Sequence, residues 1–212
     1  MRGLIQKDMC LMLQRSRIML VMIGVGVLMV FSTDGTFVIG YITMLCAILT
    51  VSTISYDEYD NGYPFLLTLP ITKRTYVAGK YLFCLAGGLI GWAIAVAIYL
   101  CCSLIKGNVL LISDLLETLA FIPVFGLITV IMIPLQLKYG AEKSRIAIAV
   151  VGGGAWALGY LFMRYLPDIG EIPAFLSGLS DVTMMVFLLV LFLAVLAISY
   201  RISLRIMEKK EY

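Results

Sequence analysis

The side chains able to do chemistry crowd into one stretch, Ser55–Tyr81, between two long apolar runs. Carboxylates open it (Asp57, Glu58, Asp60), tyrosines and a phenylalanine run through it (Tyr59, Tyr63, Phe65, Tyr76), and cations close it (Lys73, Arg74, Lys80). Mixed charge around aromatic and apolar groups suits recognition of a soluble surface better than bond breaking. Catalysis lacks its usual parts. The chain has no histidine, so it has neither an imidazole base nor a His-Glu-x-x-His zinc helix. Its five cysteines form no Cys-x-x-Cys pair, and most sit in apolar runs, where cysteine acts as a small hydrophobe. A Ser–Lys or Cys–Asp hydrolase remains formally open, yet no apolar run has a clear acid or base in its interior. Arg164 is the nearest exception, close enough to an outer end to snorkel. No catalytic residue and no metal site are expected.

Within the stretch, Asp57 and Glu58 suit the positive end of a short helix. Asn61-Gly62 signals a turn, and Pro64 suits the first position of the next helix. Phe65, Leu66, Leu67 and Leu69 then form an apolar surface, which Pro70 stops. Thr72 can cap a helix carrying Lys73, Arg74 and Lys80. The expected product is a compact knob. Composition leaves two uses open: a docking surface, or an interfacial helix with Tyr59, Tyr63 and Tyr76 at the headgroups.

The elements that must hold this knob are membrane elements. The chain has 212 residues, 62% of them hydrophobic and 14% charged. Its mean hydropathy is +1.03. A soluble domain cannot cover that much apolar surface, so the solvent is lipid. A spanning helix needs roughly 20 apolar residues. Six runs are candidates: Ile18–Phe31, Phe37–Ile54, Val77–Ile105, Leu115–Leu137, Ile146–Leu166 and Val182–Tyr200. They lack barrel-type alternation, so the fold class is an all-α membrane protein of six transmembrane helices. With the N-terminus inside, fourteen Lys and Arg fall on cytosolic segments and only Lys106 and Arg164 fall outside. The positive-inside rule then places both termini in the cytosol. No small-residue cleavage site follows the first run, so that run is expected to stay in the protein.

Residues 1–17 read as an amphipathic interfacial helix, with Ile5, Met9, Met12 and Leu13 on one side and Leu4 and Leu11 off the stripe. The alternative is a basic flank that only sets topology. Residues 18–212 are expected to form the single transmembrane domain, with the cytosolic polar segment at 55–81. Gly87-x-x-x-Gly91 with Ala95, and Ala155-x-x-x-Gly159 after Gly152-Gly153-Gly154, mark close helix contacts. No Gly-Lys-Ser/Thr follows the glycine run and it lies inside a span, so it reads as helix packing, not a phosphate loop. The segment Pro167–Asp181 is either re-entrant or superficial.

The pattern Tyr56-Asp57-Glu58, Asn61-Gly62, Leu67-Thr68-Leu69-Pro70-Ile71-Thr72, Arg74, Val77 and Lys80-Tyr81 resembles a family of small bacterial ATP-binding-cassette (ABC) permeases of the type-2 class. The resemblance implies that residues 55–81 act like the coupling helix that docks on a separate ATPase subunit. Asp57, Glu58, Tyr59, Asp60, Tyr63, Phe65, Leu66, Leu69 and Arg74 would form the docking set. It also implies two permease copies, or one copy with a paralogue, on two ATPase subunits that hold ATP and Mg. The chain itself would hold no cofactor and bind no nucleic acid. Some members look like exporters of amphipathic peptides, including phenol-soluble modulins, or like bacteriocin-immunity exporters of the bacterial cytoplasmic membrane. The second and fifth spans would line the path, making Thr43, Thr50, Ser52, Trp156 and Met163 the candidate path residues. A membrane-embedded solute-binding subunit of a vitamin uptake system is the alternative of similar span number.

Overall fold

A computed structural model describes residues 2–14, 16–32, 35–58, 62–68, 71–106, 118–165 and 181–210. The regular elements there are all α-helical. They are α1 (Arg2–Gln14), α2 (Ser16–Ser32), α3 (Gly35–Glu58), α4 (Gly62–Thr68), α5 (Lys73–Lys106), α6 (Phe121–Tyr165) and α7 (Asp181–Lys209). Four stretches are long and apolar enough to cross a membrane: Phe37–Glu58, Lys73–Ile105, Phe121–Gly140 and Thr183–Lys209. The first expected run differs from the six-span reading. Helix α2 has 17 residues, about 25 Å of helix against a hydrocarbon core of about 30 Å. It qualifies only when joined to α1, from which it is bent by 66°. The fifth expected run is helical in backbone to Tyr165, but its side chains beyond Ile146, Trp156 and Met163 included, lie outside the described residues.

Helix α3 is the hub, packing against α1, α2, α4, α5 and α6. Over half of its apolar window (56%) is buried, against 6% for α7, which therefore lies at the periphery. Lipid is as apolar as leucine, so helices associate through close packing and hydrogen bonds, not through hydrophobic burial. Both devices are present. Gly87 and Gly91 let α5 approach α3 so closely that a Cβ at either position would overlap Thr50 or Cys46, respectively. The Gly-x-x-x-Gly pair thus does what its spacing suggests, and Ala95 one turn on is fully buried. Gly126 of α6 packs against the Phe192 ring of α7 in the same way.

Pro134 interrupts α6. It has no N–H, so the Val130 carbonyl one turn back loses its helical donor. Ser199 of α7 donates to that carbonyl at 2.6 Å, and the Tyr81 hydroxyl of α5 lies 2.6 Å from Ser199 and 2.8 Å from Ser203. One imperfection in a helix becomes a hydrogen-bonded tie among α5, α6 and α7. Six residues on, Gly140 takes φ 76° and ψ 179° and breaks α6 into two helical stretches. That left-handed φ favours glycine.

Two predictions follow from this packing. Ser199→Ala should lower the thermal stability of the purified protein by roughly 1 kcal/mol, since it orphans the Val130 carbonyl within the bundle. Gly91→Leu should be far worse, because no rotamer avoids Cys46. Chemical unfolding in mild detergent ranks the two, and a Gly91→Leu protein as stable as wild type would refute the close approach.

Candidate functional site

The described parts of the charged stretch fold against one end of the bundle, as a braced knob. Helix α4 is short, seven residues. Residues 59–61, 69 and 70 fall outside the described residues, so Tyr59, Asp60 and Leu69 are not placed, nor is the Leu66 side chain. The remaining members of the expected docking set separate into two groups.

Asp57 and Tyr63 point inward. Asp57 is 5% exposed and Tyr63 4% exposed. Asp57 ends α3 in a cluster of four charges. Its carboxylate accepts from Lys7 of α1, from Lys80 of α5 at 2.8 Å and from the Tyr76 hydroxyl at 2.8 Å. Lys80, 1% exposed, also reaches both oxygens of Asp8 of α1 at 2.8 and 2.9 Å, and the Thr53 hydroxyl at 3.3 Å. Lys7 lies 3.4 Å from Asp8. Two lysines face two aspartates, so the cluster is neutral as a whole. A buried ammonium carries a desolvation cost of several kcal/mol unless paired and hydrogen-bonded. Here two other helices, α1 and α3, supply the partners of Lys80. Above it, the Tyr63 and Tyr76 rings meet edge to face at 5.7 Å, and the Lys210 ammonium sits 5.2 Å over the Tyr63 ring.

Glu58, Phe65 and Arg74 face outward. Phe65 is 68% exposed on a helix only seven residues long. Arg74 is exposed and 3.7 Å from Glu208 at the end of α7. The neighbouring Lys73 ammonium donates to the carbonyls of Lys210 at 2.8 Å and Glu208 at 3.3 Å. The end of α7 is thereby pinned beside the knob, with Met207 buried under it. Glu58 lies against Gly140, where a Cβ would come within 2.5 Å of its carboxylate. It thus joins the last turn of α3 to the break in α6, at the start of the second helical stretch, the end that favours an acid.

Three features escaped sequence reasoning. Asp8 gave no signal, since an isolated acid in a basic flank reads as solvated. Leu4, which fell off the expected apolar stripe of α1, is the side chain that packs into the core, while stripe residues Met9 and Leu13 are exposed. The buried face of α1 is thus Leu4 with Asp8, four residues apart. Lys80, expected to be one more cytosolic cation, is the most buried charge among the described residues.

The path residues also divide. An apolar cavity of about 160 Å³ lies between α3, α5, α6 and α7, lined by Thr43, Cys84, Gly88, Trp92, Phe125 and Phe192 among others. Thr43 borders it, with its hydroxyl satisfied by the Ile39 carbonyl at 2.7 Å. Thr50 and Ser52 do not line it. Each returns its hydroxyl to its own helix, to Ala47 and Leu49, and Thr50 is also the surface that Gly87 packs on. The Trp92 indole is held at the cavity wall by its N–H bond to the Thr118 carbonyl at 3.0 Å.

The cluster makes a non-additive prediction. Lys80→Met should destabilise the protein by roughly 3–5 kcal/mol, because two buried carboxylates are left sharing one lysine. Lys80→Met combined with Asp8→Leu should recover part of that loss, as measured by thermal unfolding of the purified chain. Equal or additive losses would mean the four charges do not act as a unit.

Comparison with known proteins adds one match. The family described as ABC-2 family transporter protein covers residues 3–208. Neither a curated protein nor a solved structure is detectably similar to the chain. The match runs from α1 through the whole bundle to the turn of α7 that pins the knob, and members of this family are membrane permeases that leave ATP hydrolysis to a separate subunit. The chain therefore belongs to the ABC-2 transporter family, as a multi-pass membrane subunit.

Proposed function

We propose that this subunit is the permease half of an ATP-driven exporter in a bacterial cytoplasmic membrane. It has six spans, and both termini and the knob at residues 55–81 face the cytosol. Two copies, or one copy and a paralogue, pair over two ATPase subunits that carry ATP and Mg. Helix α1 lies along the inner interface, with exposed Met9 and Leu13 in lipid and Leu4 and Asp8 against the bundle.

The observation that carries this reading is a knob rigid at its base and exposed at its tip. A coupling element must transmit displacement, so its attachment has to be stiffer than its contact with the motor. The Asp57–Lys80–Asp8 cluster fixes the base to three helices, while Phe65 is left projecting. The docking set therefore narrows to the outward side chains, Phe65 first, with Glu58 and Arg74 at the edge. Asp57 and Tyr63 serve it as braces. Any closure of the ATPases is then felt by α3 and α5, the two helices that meet at Gly87 and Gly91.

The cargo that suits this bundle is amphipathic or apolar, a peptide above all. The cavity wall is hydrocarbon and aromatic, and the hydroxyls of Thr43, Thr50 and Ser52 are already spent on their own helices.

Phe65→Asp tests the docking surface without disturbing the base, because the side chain is largely in solvent. Affinity capture of the cognate ATPase subunit should fall by about ten-fold or more, as for loss of an aromatic anchor, while the melting temperature stays at the wild-type value. Full capture by the variant would remove α4 from the interface.

A further inference from the structure

A second surface on the molecule has both a shape and a charge pattern. Between α6 and α7 runs an open groove of about 450 Å³, within the range of about 300–1,000 Å³ common for small-molecule sites. Its floor includes Ile131 and Leu135 of α6 and Ile198 and Ile202 of α7. Along α7 it extends from Val195 to Ile206, about 16 Å of helix, close to the depth of one leaflet.

The groove ends in cations. Helices α6 and α7 run in the same direction, since Gly126 meets Phe192 and Val130 meets Ser199. That register puts Lys138 level with Arg205. Lys138 follows Ile131 by seven residues and lines the groove itself. Arg205 follows Ile198, and Lys209 follows Ile202, by the same interval, so each cation continues an apolar row of the groove. Lys138, Arg205 and Lys209 are exposed, and no described carboxylate pairs with them. Tyr139, with its ring 4.8 Å from the Lys138 ammonium, supplies an amphipathic side chain at the same level.

We infer that this groove is a binding site for an anionic phospholipid, with one acyl chain along Ile131, Ile198 and Ile202 and the phosphate between Lys138, Arg205 and Lys209. The charge pattern selects this occupant. A basic rim at the end of an apolar slot attracts an anionic headgroup and repels a cationic amphipath. A second copy of the chain would bring the same cations against each other across an isologous contact. The leaflet, the inner one, follows from the orientation proposed above; the site itself does not depend on it.

The test uses the full chain in nanodiscs with phosphatidylglycerol or phosphatidylcholine probes that carry a photoreactive diazirine in the acyl tail. The phosphatidylglycerol probe should label residues 131–139 and 195–206 preferentially over its phosphatidylcholine counterpart. The preference should fall about five-fold for each cation removed in Lys138→Gln, Arg205→Gln and Lys209→Gln. Ile202→Trp, which fills the slot, should block both probes. Equal labelling by the two headgroups in the wild type would reduce the groove to ordinary annulus and overturn the inference. So would disulfide crosslinking between two Ile202→Cys chains, which would assign the groove to a permease–permease contact. A cationic amphipathic probe outcompeting phosphatidylglycerol would likewise overturn it, assigning the groove to cargo.

Discussion

The burial of one ammonium group organises one end of this protein. Lys80 stands where a cation is expensive, and the fold meets that cost by drawing in Asp8, Asp57 and Thr53 from two other helices. The consequence is geometric as much as energetic. Helix α1 cannot leave without stripping Lys80 of a bidentate partner, and α3 and α5 cannot slide past each other without separating Asp57 from Lys80. Such clusters contribute little net stability compared with apolar packing, but they penalise departures from one arrangement heavily. The proposed transmission role requires that property.

Around this fixed point the remaining devices fall into place. The tyrosine pair, the cation over Tyr63 and the pinned end of α7 flank the cluster. Further along the bundle, glycines bring α3 and α5 into contact and a proline-freed carbonyl recruits Ser199. The lattice of contacts is tight at the knob and looser toward the middle of the bundle, where the cavity by Trp92 lies.

How much of this was legible in the sequence depended on periodicity. The apolar runs that became α3, α5 and α7 were readable because lipid imposes a length and a composition on any helix that crosses it. The Gly87–Gly91 contact was readable because only small residues permit it. The bend of 66° between α1 and α2 was not legible, since a run of apolar residues gives no sign of it. The knob was visible as a whole but not by side chain. Asp57 and Phe65 fell in one expected docking set, and only the fold separates them, burying the acid and exposing the ring. Pairings across 72 residues, such as Lys80 with Asp8, have no local signature. Nor does a carbonyl orphaned by Pro134 announce which hydroxyl will reach it.

The central claim is that a nucleotide-driven partner grips the exposed tip of α4. Photocrosslinking reads this directly, with benzoylphenylalanine in place of Phe65 in cells that express the ATPase subunit. The account predicts an adduct with that subunit whose yield changes between nucleotide-free and ATP-trapped states, and no such adduct from the same probe in place of Phe187 on the outer flank of α7. Adducts from position 65 with lipid alone, or with proteins of the opposite side of the membrane, would contradict it.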